Sequence, residues 1–338
     1  MAIGEQQTQM DEGQTPEEGD EFEAEVGWRY TVKKIKKDTT ARFGMYVILL
    51  VIVVAIVTAI DSNLERLTFG AVEDFRLAEW TPGLSHPTSH PDPGETERRL
   101  PPFFAEGGSG SPFEHPLGTD QAGRDYLTRL IYGTQTSVFV GIVATGIGMT
   151  AGTIIGAVSG YYGGWVDDVL MRLAETLYAI PPLVLVIVFT VFVSGNDPDI
   201  IYAVFGVGIA FIPVFARLIR SRVLSVREMD YVEAAKATGV STPGILLRHV
   251  IPNSFAPVLV LATLQIGVTI LIVAGLSFLG YGAQPPTPDW GEMLNISHQY
   301  MLSNPWMSVW PGIAIMITIF GFNLFGDGLQ DALDPRIK

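Results

Sequence analysis

The sequence predicts an all-α integral membrane protein with six transmembrane helices. Three observations carry that prediction. Of 338 residues, 48% are apolar and 17% charged, with a mean hydropathy of +0.33, so a large buried or lipid-facing surface is unavoidable. Uncharged runs long enough to cross a bilayer recur along the chain. Lysine and arginine are also distributed unevenly between the short connections, as their retention on the cytoplasmic side requires.

The first element, residues 1–30, contains "DEGQTPEEGDEFEAEVG". Like charges and low hydrophobicity leave it little to bury, which predicts a disordered acidic cytoplasmic tail. Residues 31–60 comprise a basic flank, "KKIKK" and Arg42, and the uncharged run "FGMYVILLVIVVAIVTAI" from Phe43 to Ile60. No small-residue cleavage pattern follows this run, so it reads as an uncleaved first helix with its N-terminus inside. Residues 61–136 form an external loop with an interfacial segment, irregular where it is rich in Pro, Gly and Ser.

Residues 137–325 form the five-helix core, with predicted spans at Ser137–Gly160, Leu177–Val193, Ile200–Leu218, Ala256–Gly280 and Val309–Phe325. Residues 326–338 are read as a cytoplasmic C-terminal tail. Within the second span Gly148, Gly152, Gly156 and Gly160 recur every fourth residue, which predicts a close helix contact along one face. Pro181 and Pro182 predict a kink in the third span. The loop after the fourth span carries Arg217, Arg220, Arg222, Arg227, Lys236 and Arg248, whereas "SGNDPDI" before it has no basic residue. Both termini are therefore expected in the cytoplasm of a multi-pass cell-membrane protein.

Several function classes are excluded. A formal charge of -14 argues against nucleic acid, whose binding needs a basic face. The chain lacks cysteine, which removes disulfides and thiolate metal sites. His86 and His90 have helical ligand spacing, but "HPTSHPDP" is too rich in proline for a helix, and neither they nor His115, His249 and His298 predict a metal site. No GxxxxGK[ST], GxSxG or HExxH pattern occurs, so neither catalytic residues nor a cofactor are expected in this chain.

The loop at 219–253 contains "EAAKATGVSTPGILLRHVIPN", Glu233 to Asn253. Good helix formers precede Gly239, a residue suited to closing a helix. Thr242 can cap a second helix whose first turn begins at Pro243, and Pro252 with Asn253 separates this element from the fifth span. Two short helices joined at Gly239 are the expected result.

This pattern resembles the EAA loop of ATP-binding-cassette importer permeases. Glu233, Ala234, Ala235 and Gly239 match outright, and Ile251 with Pro252 matches the closing apolar-Pro pair. His249 stands where the general pattern has an aliphatic residue, as in the "RHxxPN" run of the dipeptide, oligopeptide and nickel branch. "HPLGTDQAGRDYLTRLIYG", "GYYGGWVDDVLMRLAETLYAIPP", "LSFLGYGAQPPTPDWGEML" and "NLFGDGLQDALDPR" resemble the same branch, in the order of its second, or C-type, subunit. Gln330 replaces an arginine common in the last motif.

The resemblance implies a type I ABC importer permease-like fold with a cytoplasmic coupling helix. It implies a heterodimer with a second permease, two cytoplasmic ATP-binding subunits that use ATP-Mg, and an extracytoplasmic solute-binding protein. Glu233 is then a polar anchor to the ATPase, Ala234 and Ala235 its close-packing face, Gly239 the turn, and His249 and Pro252 the end of the coupling element. Asp289, Trp290 and Gly291 are candidates for contact with the external partner, with Trp290 its aromatic anchor, or for an external gate. Peptides are the default cargo, with nickel chelate or oligosaccharide as alternatives. A secondary transporter or channel would place ionisable residues within the spans or show internal repeats, and neither is evident. A membrane enzyme would need a nucleophile, metal or paired-acid constellation.

Overall fold

The computed structural model describes residues 28–68, 98–107, 115–195 and 199–333, with positions 74, 77, 81, 84 and 113 between them. The acidic segment up to Gly27, His86 and His90 lie outside the described residues. Those described are mostly helical: α1 (Trp28–Lys37), α2 (Thr39–Asp61), α3 (Leu64–Leu67), α4 (Tyr126–Tyr162), α5 (Gly164–Tyr178), α6 (Pro182–Ser194) and α7 (Ile200–Val226). A short-helix region follows, with α8 (Asp230–Ala237), α9 (Thr242–Ile245), a π-turn at Leu246–Val250 and α10 (Ile251–Ser254). The chain continues with α11 (Ala256–Phe278), α12 (Trp290–Ser297) and α13 (Trp306–Leu333).

Five helices, α2, α4, α7, α11 and α13, are long and apolar enough to cross a bilayer, and the pair α5–α6 makes a sixth crossing if counted as one broken span. The pair is bent by 91°. The interruption falls at Pro181 and Pro182, where a kink in the Leu177–Val193 span is expected, and the apolar helix itself starts at Pro182 rather than Leu177. Pro182 has no N–H to continue the helix from α5, and Pro181 holds Ile180 away from helical geometry. Asp167 near the start of α5 pairs with Arg220, whereas Tyr178 at its end lies 3.7 Å from the Arg217 guanidinium. Eleven residues of α5 thus pass only three residues of α7, so α5 crosses α7 rather than following it. α6 then runs along α7, with Gly206 facing Val186.

The glycine repeat explains the closest helix contact. An added Cβ at Gly148 would lie 2.9 Å from the Gly208 carbonyl oxygen, at Gly152 2.7 Å from that of Ile212, and at Gly160 2.9 Å from that of Arg220. A Cβ at Gly156 would sit on the Ala216 carbonyl. Each glycine is thus set against the residue sixty positions on, so α4 and α7 run parallel in constant four-residue register. Small residues on one face let the backbones touch, and the van der Waals packing this permits is one of the forces that associate helices in lipid. Gly146, off this face, has open space around it, and a Cβ added there would meet nothing within 4 Å.

The second and sixth spans are longer than expected. α4 begins at Tyr126 rather than Ser137, capped by Asp125, whose side chain accepts from the Thr128 N–H at 2.7 Å. α13 continues through the expected tail to Leu333. Thirty-seven residues of α4 span about 55 Å at 1.5 Å per residue, well beyond the ~30 Å of hydrocarbon. Its Tyr126 and Tyr162 ends therefore reach opposite aqueous faces.

Ile35, Ala41, Val260, Leu329 and Ala332 form one buried cluster. It joins α1, the start of α2, the end of α13 and the start of α11, directly after the short-helix region. Both described chain ends therefore lie on the same side as residues 230–254.

Candidate functional site

At the Tyr162 end the chain builds a helical hairpin. α8 stops because Gly239 adopts φ +82. The Val240 N–H returns to the Ala235 carbonyl at 3.1 Å and the Gly239 N–H to the Lys236 carbonyl at 3.0 Å, a Schellman closure. The second arm starts with Ser241, not Thr242, at the N-cap, and Pro243 falls in its first turn. Pro252 and Asn253 do not separate this arm from the next span. Dihedrals stay helical through Phe255, and the π-turn absorbs the missing Pro252 N–H, with the Ile251 N–H donating to the Leu246 carbonyl. Asn253 Nδ2 donates to the His249 carbonyl at 2.6 Å.

Periodicity divides the hairpin into two faces. Val232 and Ala235, three residues apart, pack with Ile245, Leu246 and Val250 against Ile219 and Val223 of α7. Ala235 therefore serves packing within this chain, which corrects its reading as part of an outward face. Glu233, Ala234, Gly239 and Pro252 are exposed, and His249 is half-buried. Tyr231, Val240 and Leu247 are also exposed, Leu247 at 68%. Large apolar side chains exposed on the same hairpin as an exposed carboxylate form a surface suited to another protein.

The hairpin is tied to the long helices. Lys236 Nζ lies 5.6 Å from the Tyr161 ring centroid, a cation–π contact with the end of α4. Nearby, Arg220 grips Asp167 through Nε at 2.5 Å and through Nη2, Ser159 donates to Asp167, and Arg227 Nη1 donates to the Gly160 carbonyl at 2.8 Å. These contacts join the hairpin to α4 and join α7 to α4 and α5. No Cβ neighbour lies within 4 Å at Gly239. Gly239→Ala should thus cost only the left-handed backbone strain, about 1–2 kcal/mol, readable as a small fall in thermal unfolding temperature.

At the Tyr126 end, "PPTPDWGEML" folds back on α4. The Asp289 side chain caps α12 by accepting from the Gly291 and Glu292 N–H groups at 3.0 and 3.1 Å, and accepts from Ser137 Oγ at 3.0 Å. Burial pushes its carboxyl above the usual range, while these donors pull it down. Trp290 Nε1 donates to the Leu130 carbonyl at 2.9 Å, and its ring fills the space left by Gly133. Gly291 lies on the Ala274 backbone. Asp289, Trp290 and Gly291 are all buried. Trp290, 2% exposed, thus anchors its own chain and is not presented to a partner.

Beside it lies a charged cluster that the sequence patterns did not single out. Arg124 Nε donates to Asp120 at 2.6 Å, Arg129 Nη2 donates to Glu292 at 3.0 Å, and Arg129 Nη1 donates to the Pro286 carbonyl at 3.1 Å. Arg129 Nε is also 3.6 Å from Asp120. Arg129 bridges the segment before α4, α4 itself and α12. Its signal was present in "GTDQAGRDYLTR", where acids and arginines recur just before an apolar helix, but Glu292 joins only through folding.

Residues 152–338 match the family model described as "Binding-protein-dependent transport system inner membrane component". The chain is 36% identical over 327 residues to the dipeptide transport system permease protein DppC of Alkalihalophilus pseudofirmus, covering 97% of this chain and 96% of that relative. It is 41% identical over 224 residues to the glutathione transport system permease protein GsiD of Pectobacterium atrosepticum, covering 66% of this chain and 73% of that relative. An inward-facing structure of the MetNI methionine ABC transporter has the same fold, with a TM-score of 0.51 at 15% identity, covering 61% of this chain and 97% of that one.

Proposed function

We propose a function from one premise: the chain belongs to the binding-protein-dependent transport system inner membrane component family. It is the second, C-type permease of an ATP-driven importer for di- or oligopeptides. The hairpin of residues 230–254 carries this reading, because it pairs an exposed polar and apolar face with an inner face anchored on the long helices. Peptide cargo follows from the dipeptide and glutathione permeases that the chain resembles.

In this reading the Tyr162 end is cytoplasmic, as the basic residues around it favour. Both termini then lie inside. Two ATP-binding subunits using ATP-Mg sit beneath this permease and a second, similar one, and a solute-binding protein docks at the Tyr126 end. Glu233, Ala234 and Gly239 form the ATPase-facing surface, with His249 and Pro252 supporting its second arm. ATP-driven closure moves the hairpin, and Lys236, Arg220 and Arg227 pass the motion to α4, α5 and α7, giving alternating access as a shift between two packed states. Asp289, Trp290 and Gly291 hold α12 as the outer gate.

Reconstitution of both permeases, both ATPases and the binding protein should give ATP-dependent uptake of a labelled dipeptide, with competition by glutathione measuring cargo breadth. Purified alone, the chain should neither transport nor hydrolyse ATP. Uptake by the chain alone under an ion gradient would overturn the assignment, and nickel-chelate or oligosaccharide uptake without peptide uptake would overturn the cargo.

A further inference from the structure

Glu292 is 4% exposed, and only one of its carboxyl oxygens is used. Oε2 accepts from Arg129, whereas Oε1 is buried without a hydrogen-bond partner among the described residues. Gln121 Oε1 is likewise buried and unpartnered. Both residues line one cavity of ≈ 10 Å³, room for a single water-sized guest, with Asp120, Tyr126, Arg129 and Met293 around it. Two buried acceptors without a hydrogen-bond partner, on residues that line the same small space, are costly, and a donor that reaches either one removes its cost.

We propose that Glu292 is a proton-binding site of the closed outer gate, taking a proton on Oε1 as α12 seats and donating it across the cavity toward Gln121 Oε1. The proton comes from the external solution and returns there when the segment lifts. Arg129, on α4, and Arg124, in the segment before it, face the carboxyl with positive charge. Asp120 in that segment and Asp289 in its own face it with negative charge. The Tyr126 hydroxyl is engaged by the Met307 carbonyl and offers no proton. Burial is the largest influence and outweighs the pull of the two arginines, holding the carboxyl at about 7 against an ordinary 4.5. The sign follows from linkage. The closed state binds the proton up to about pH 7, the open state only to about 4.5, so closure is favoured at lower pH and weakens as pH rises through 7. Between pH 6 and 8 the open-to-closed ratio should rise about tenfold.

The site rests on the importer reading only for its link to gating, and the two are tested separately. Infrared titration of the purified complex should show a carboxylic C=O band with a midpoint near pH 7 that is missing in Glu292→Gln. Gln121→Leu, which removes the acceptor, should move that midpoint down. No such band, or an upward shift, overturns the proposal. If Glu292→Gln fails to assemble, the Gln121→Leu shift still identifies the band. Because the chain has no cysteine, Ser297→Cys, a near-isosteric change buried on α12 outside the cavity, provides a reporter single to this chain for an impermeant thiol reagent. Its labelling rate, divided by the rate in the Glu292→Gln background to cancel thiol ionisation, should rise about tenfold from pH 6 to 8. A flat ratio beside a titrating Glu292 band overturns the link to gate opening and leaves the transport assignment untouched.

Discussion

Gly156→Leu is expected to prevent assembly of the folded permease. A side chain there meets the Ala216 carbonyl and Ile219 Cγ2 at once, and neither a backbone carbonyl nor a helix held by three further glycine contacts can step aside. The whole α4–α7 contact would have to separate, so the cost should exceed the ~1–3 kcal/mol of ordinary overpacking. The measurement is the yield of monodisperse protein after detergent extraction, with thermal unfolding of whatever survives. Gly146→Ala is the matched control. It lies on the same helix with open space around it, and it should stabilise the helix by about 0.5–1 kcal/mol. Equal behaviour of the two variants would show that the four-residue glycine register does not hold α4 to α7.

The second large effect is functional. Glu233→Lys combined with Gly239→Pro should leave membrane insertion intact while abolishing ATP-driven uptake. Glu233 is exposed and makes no side-chain hydrogen bond or ion pair among the described residues, so reversing its charge disturbs little inside the chain. It should lose a charge-assisted contact with the ATPase worth about 2 kcal/mol or more, roughly thirtyfold in coupled rate. Gly239→Pro acts differently. Proline requires φ near -65° and has no N–H, whereas Gly239 sits at φ +82 and donates to Lys236, so the hairpin turn cannot form. The readouts are peptide uptake and its stimulation by the binding protein, alongside membrane content. Wild-type uptake by a complex carrying both changes would refute the coupling role.

The hairpin was legible because its signals are local: Gly239 closes a helix wherever it lies, and Pro243 suits a first turn. The faces of that hairpin were not. Ala234 and Ala235 are indistinguishable as residue types, and only the position of Ile245, Leu246 and Val250 makes one inward and the other outward. The bend at Pro181 and Pro182 was readable as an interruption, but its 91° angle depends on α5 crossing α7. Trp290 shows the same limit, since an exposed anchor and a buried one have the same side chain until Gly133 is placed opposite.

The sequence by itself determined where the apolar spans fall, that one glycine face of the second would make a close helix contact, and the hairpin turn. Each depends on hydropathy, period or backbone permissiveness within a few neighbouring residues. Only the tertiary structure decided that Arg129 meets Glu292, that Gln121 and Glu292 share a cavity, and that Ala235 points inward. Burial and pairing across 163 positions of chain are properties of packing, and packing is set by which faces meet.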